Sequence, residues 1–199
     1  HGVELICGTS EETGMQDMAA LRRKGHRFPG TSLVPDAGFP VNYAQKGMVD
    51  GAIVTPCEGN LLQLDAGSVR NVIPDEAVCV VAADVEAARA ALTHADESDA
   101  ALTEISAVDG GTRIVAKGKS GHAAFPAGGD NAIGRLARVL TASGLLSGTA
   151  KSAIAALAEL TADANGISEG VAFSDEPSGE LTLVYGVAHL RDDVLTLSV

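Results

Sequence analysis

Tryptophan is absent, and aromatic residues make up only 3% of the 199 positions. A chain so poor in flat rings has little with which to stack bases or sugars. Positive charge is scarce as well: 14 Lys and Arg stand against 26 Asp and Glu, a formal net charge of −12. Such a surface repels phosphate backbones, which excludes nucleic acid as an expected partner. No apolar run approaches the roughly 20 residues that would span a bilayer. The opening residues carry neither the basic nor the apolar region of a secretory leader, so no membrane association is expected. Cysteine is limited to Cys7, Cys57 and Cys79, with no C-x-x-C pair. That pattern fits reduced, mostly buried thiols in a cytoplasmic protein better than a disulfide framework.

What is present is an ordinary globular composition, 46% hydrophobic and 20% charged, enough for one large core or two small ones. Residues 3–7 form a short apolar run ending in Gly8-Thr9-Ser10, the pattern of a buried parallel strand. A helix is predicted from Thr13 to Lys24, with Met15, Met18, Ala19 and Leu21 as its apolar stripe and Gly25 as its stop. Strand, turn and helix make a βα unit, whose ligands bind beyond the strand's carboxyl end. Proline and glycine over 28–41 predict irregular loop. A domain boundary is placed near Lys46, dividing the chain into 1–45 and 46–199. The second part reads as α+β: strands at 48–54, 60–65, 77–82, 104–108 and 112–117, with a hairpin turn at Asp109-Gly110-Gly111. Helices are predicted at 85–92, capped by Asp84, at 131–142, capped by Asp130, and at about 150–162. Alternation over 181–187 and 195–199 predicts two more strands joined through Arg191-Asp192-Asp193. Both ends resemble the interior of a protein more than frayed termini, so a fragment is expected.

Three segments can carry chemistry. In Gly8-Thr9-Ser10-Glu11-Glu12-Thr13-Gly14, two neighbouring carboxylates stand at the end of a strand. Adjacent side chains of extended backbone point opposite ways. One acid can therefore grip a metal while its neighbour takes the proton of a metal-bound water. The alternative is that both acids only decorate a helix N-terminus, where the dipole favours them. In Val34-Pro35-Asp36-Ala37-Gly38-Phe39-Pro40, Asp36 is either a further oxygen ligand or a turn former. In Ser120-Gly121-His122-Ala123-Ala124-Phe125-Pro126, His122 sits among small residues on a loop. There it can donate a hydrogen bond to a developing oxyanion, or simply face solvent. Asn71, before Val72-Ile73-Pro74, is a weaker signal.

Together these pieces, with Arg70-Asn71-Val72-Ile73-Pro74 and Asp130-Asn131-Ala132-Ile133, resemble in order the dipeptidase V (carnosinase-type) branch of the aminoacylase/carboxypeptidase family of two-zinc peptidases. The resemblance implies a fold: part of a parallel-sheet α/β catalytic domain followed by an α+β lid. It implies Glu11 as general base, Glu12 and Asp36 as ligands of the two zinc ions (manganese or cobalt being possible substitutes), His122 as the oxyanion donor, and His122 with Asn71 on the substrate. The long gap between Asp36 and His122 implies an enlarged lid, a monomer, and a dipeptide or short-peptide substrate. The family's upstream His-x-Asp motif and downstream His have no counterpart here, so the chain by itself is expected to be inactive. An aminoacylase or deacylase of the same family, or a non-catalytic α+β binding module, are the rival readings.

Overall fold

The computed structural model describes residues 3–11, 14–36, 38–40 and 44–199. The chain divides into two compact units, His1–Tyr43 and Ala44–Val199.

The first unit holds one regular element among its described residues, helix α1 (Gln16–Arg23). Met15 precedes it in the left-handed region, at φ 53°. The helix closes with Gly25 at φ 86°, whose N–H donates to the Arg22 carbonyl while that of His26 reaches back to Leu21. This is how a left-handed glycine ends a helix. The strand expected at 3–7 does not form. These residues pair with no described strand, and Val3 and Leu5 are exposed. An apolar run becomes a parallel strand only when neighbours take up its backbone groups, and every pairing among the described residues is antiparallel. No strand forms among the described residues of 28–40 either.

The second unit runs β1 (Ala52–Pro56), β2 (Leu61–Ala66), β3 (Val72–Ile73), β4 (Glu76–Val81), α2 (Val85–Leu92), α3 (Glu97–Ala101), β5 (Thr103–Val108), β6 (Gly111–Lys117), β7 (Gly121–His122), α4 (Ala132–Ser143), α5 (Gly148–Leu160), β8 (Ser174–Asp175), β9 (Gly179–Glu180), β10 (Val187–Arg191) and β11 (Val194–Ser198). Seven strands make one antiparallel sheet in the order β1-β11-β10-β2-β4-β6-β5. Alternation decides which face is covered: Ala77, Cys79 and Val81 of β4 are buried, while Glu76, Val78 and Val80 turn the other way and keep some exposure. Against the buried face pack α2, α4 and α5. Ile133, Leu136, Ala137 and Leu140 recur at helical spacing on α4, and all are buried with Ile154 and Leu157 of α5. Cys57 and Cys79 are buried free thiols, whereas Cys7, in the first unit, is exposed.

Two expectations are corrected here. The cap of α4 is Asn131, whose side chain accepts from the Ile133 N–H at 3.0 Å, because the Asp130 carboxylate is engaged by Arg135 instead. The strand predicted over 181–187 begins only at Val187. Upstream of it, Leu181 and Leu183 donate to the Phe173 and Ala164 carbonyls of a loop. Gly186 is pressed onto the Arg70 carbonyl so closely that a Cβ there would come within 2.4 Å. Asp192 and Asp193, at φ 49° and 58°, give the β10–β11 hairpin the doubly left-handed turn that matches strand twist.

Candidate functional site

In the first unit the loop at Gly8–Glu11 is tied to the start of α1 by a single carboxylate. Asp17 accepts from the Thr9 N–H at 2.5 Å and the Ser10 N–H at 3.2 Å through one oxygen, and the Ser10 hydroxyl accepts from the Asp17 N–H at 3.1 Å. The Thr9 amide above all, then the Ser10 hydroxyl, holds the Asp17 carboxyl down at about 2. Gly8 lets the carboxylate sit close to the backbone: a Cβ there would stand 2.7 Å from the Asp17 oxygen, and the side chain would have to shift. The Met15 N–H donates to the Ser10 carbonyl at 2.8 Å and that of Gly14 to Glu11 at 3.3 Å, closing the loop on itself. Glu11 is exposed at its crest. Glu12, the neighbouring acid expected to grip a metal, lies outside the described residues. Asp36 is exposed, its N–H bonded to the Val34 carbonyl at 3.0 Å in a tight turn.

In the second unit, two residues far apart in sequence are brought side by side. The β3–β7 ribbon pairs Val72 with His122 and Ile73 with Gly121, and beyond it the Ala123 N–H donates to the Asn71 carbonyl at 2.8 Å. Both Asn71 and His122 are exposed. The chain then turns over His122-Ala123-Ala124-Phe125, closed by the Phe125 N–H on the His122 carbonyl at 2.9 Å. Within that turn the Ala124 N–H donates to Nδ1 of His122 at 3.0 Å. A ring nitrogen that accepts cannot carry the proton, so the neutral imidazole bears it on Nε2. That tautomer is a hydrogen-bond donor facing outward. Phe125, 78% exposed, flanks it with ring centroids 5.9 Å apart.

The segment carrying His122 leaves β6 and returns into α4 through a narrow neck. Lys119 and Asp130 exchange backbone hydrogen bonds of 2.8 and 2.9 Å, and a Cβ on Gly118 would lie 2.2 Å from the Asp130 carbonyl. Under the neck sits a charged cluster. Arg135 donates to the Lys117 carbonyl, to Asp130 at 2.6 Å and to Asp99 at 3.1 Å, and Arg138 donates twice to Asp99, at 2.7 and 2.9 Å. Arg138 chiefly, then Arg135, keeps the Asp99 carboxyl below its usual range against the opposing effect of burial. Beside the neck is a cavity of about 240 Å³. Asp17, Asp99 and Arg135 are not marked by any sequence pattern, because their partners are set by tertiary folding; the cap expected at Asp130 falls instead on Asn131.

Among the described residues, no three His, Cys, Asp or Glu side chains come together to hold a metal ion. A zinc site takes three or four protein ligands, so the described side chains do not fit one by themselves. No described helix is long and apolar enough to cross a membrane.

Comparison with known proteins adds two likenesses. Residues 110–186, from β6 to the approach of β10, match the peptidase dimerisation domain family. The chain is also 27% identical over 203 residues to the Bacillus subtilis protein named "Putative dipeptidase YtjP", an alignment covering 96% of this chain and 42% of that protein. The chain thus spans about two fifths of the length of that relative. Likeness to a dimerisation domain gives no support to the monomer implied by the dipeptidase V resemblance.

Proposed function

We propose that this chain is part of a dipeptidase that hydrolyses dipeptides or short peptides, with Glu11 as general base, His122 as oxyanion donor and Asn71 on the substrate. Glu11 takes a proton from the attacking water as the new C–O bond forms at the peptide carbonyl carbon. His122 donates from Nε2 to the oxygen that gains charge. When the C–N bond breaks, Glu11 returns its proton to the leaving amine. The β3–β7 ribbon carries this reading: it sets Asn71 beside His122 while the Ala124 N–H fixes the imidazole as an outward donor. The likeness to a dipeptidase and to a peptidase domain points the same way. Two zinc ions belong to the proposal through the family resemblance, with Glu12 and Asp36 as a ligand to each; because the described ligand set is too small, no step is assigned to them.

The test is hydrolysis of dipeptides by the chain joined to its native flanking sequence, with zinc added. Glu11→Gln is expected to lower kcat by about 10²–10⁴-fold, the usual worth of a positioned base. His122→Ala is expected to lower it by about 10²–10³-fold, as for a single oxyanion donor. Full activity in Glu11→Gln removes Glu11 from the mechanism. Turnover of N-acetyl amino acids in place of dipeptides makes the protein a deacylase.

A further inference from the structure

We infer that Arg135 is a positioning residue for His122, the clasp that closes the neck of the 118–130 segment. The inference rests on the role proposed for His122 and adds what holds that residue in place.

Arg135 lies on α4 and is 6% exposed. A helix position facing a core is ordinarily apolar, and a buried guanidinium persists only where acceptors meet its donors. Here the acceptors are spread over both limbs of one loop. The Lys117 carbonyl belongs to the outgoing limb, the Asp130 carboxylate to the returning limb, and Asp99 anchors the group to α3. The guanidinium has five donors in a rigid fork and can bridge three acceptors at fixed angles, which an ammonium cannot do. Arg138 holds the far side of Asp99 and balances the charge.

The clasp is close to what it positions. On the outgoing limb only Ser120 separates Lys119, in the neck, from Gly121, in the ribbon. There is little slack, so a shift at the neck is passed to the imidazole. On the returning limb the chain is packed against Ile73, where a Cβ on Gly129 would come within 2.4 Å of the Ile73 side chain. The 240 Å³ cavity is bordered by Ile73, Pro126, Gly129 and Asp130. It gives the returning limb somewhere to relax once the clasp is released. A released limb loosens the His122 turn and frees Nδ1 from the Ala124 N–H.

Two variants test this: Arg135→Met, and Asp130→Ala, which cuts one link from the exposed side and spares the buried Asp99 pair. Three readouts apply. First, hydrogen exchange at the Ala123 and Ala124 amides is expected to quicken by about tenfold or more, the consequence of losing one charge-assisted bond, while Cys79 and Ala116 in the sheet keep wild-type protection. Second, the ¹⁵N shifts of the His122 ring are expected to move from the single Nε2–H tautomer toward a mixture. Third, in the protein with its native flanks, kcat for a dipeptide is expected to fall with KM little changed. If Arg135→Met exposes the sheet amides as well, Asp130→Ala alone decides. Wild-type exchange and ring shifts in a folded Asp130→Ala overturn the clasp. So does a loosened turn with undiminished kcat. A loosened turn in a protein whose parent cleaves no dipeptide leaves the clasp standing and overturns the proposed function instead.

Discussion

Asp17 organises the first unit's candidate loop through three contacts with Thr9 and Ser10, at 2.5, 3.2 and 3.1 Å. It sits on the surface, so its worth is read best from its own titration. The Thr9 amide first, then the Ser10 hydroxyl, bonds to the ionised carboxylate, which brings the folded-state pKa to about 2 from the ordinary 3.8. The sign follows from linkage: a depressed carboxylate stabilises the folded loop at pH above its unfolded value, and that contribution is lost as pH falls through about 2. The Thr9 amide proton shift should therefore titrate with a midpoint near 2 and lie flat from pH 4 upward. In Asp17→Asn the inflection should vanish and the Thr9 amide should exchange faster. A midpoint near 4 in the wild type would mean that the loop is not held by this side chain. Glu11 rides on this loop, so Asp17→Asn tests the support of the candidate base and leaves the base itself intact.

Element by element, the best-read parts are those whose signals are local. Helix α2 falls at 85–92 as predicted because Asp84 caps it directly, accepting from Glu86 and Ala87. The β5–β6 hairpin turns at Asp109-Gly110, with Gly110 at φ 85°, a conformation glycine adopts without steric cost. Signals that depend on partners failed. The run at 3–7 has strand composition but no described strand beside it, and 181–186 alternates yet bonds to a loop. The same rule covers the site. His122 and Asn71 stand out as candidates from their small-residue and proline context, but their adjacency comes from a two-residue ribbon too short to show a pattern. Arg135 gives no sequence signal, because its acceptors lie on α3 and both limbs of a loop. Asn131 was hidden behind Asp130, an equally good cap by residue type. Its role is testable. Asn131→Ala removes the bond to the Ile133 N–H and a second from its amide to the Tyr185 carbonyl at 2.9 Å. Loss of a cap costs about 1 kcal/mol and a buried orphan carbonyl adds to it. Urea unfolding followed by circular dichroism should show a loss of about 1–2 kcal/mol. Asp130→Asn, which leaves the cap alone, should lose less.

Over the whole molecule, two electrostatic effects pull in opposite directions as pH falls, and their competition can be measured. With a net charge of −12 at pH 7, self-repulsion works against the compact state. It fades toward the isoelectric point, about pH 4.7. If it dominated, stability would climb to a maximum there. Specific pairing opposes this. Lys117 bonds to Glu76 at 2.5 Å and lowers its pKa. Asp99 is lowered by Arg138 and Arg135. Asp65 is lowered by Arg191, Gln63 and His189 although burial pushes it up. Asp163 is held down by the N–H groups of Asn165, Ile167 and Ser168, again against desolvation. Every one of these carboxylates stabilises the fold above its ordinary value near 4 and gives that up as pH falls through its lowered folded value. Lys117 is raised by Glu76, so its share is complete below 10.5 and fades only as pH rises further. Diffuse repulsion between separated surface charges is screened beyond about 8–10 Å at ordinary salt, whereas pairs in hydrogen-bond contact are screened much less. Local pairing should therefore win. The urea midpoint of the chain is expected to be nearly level from about pH 9 down to 5, to show no peak near the isoelectric point, and to drop steeply below about pH 4. A clear maximum at the isoelectric point would mean that overall charge, and not the paired carboxylates around the sheet and the His122 neck, governs stability.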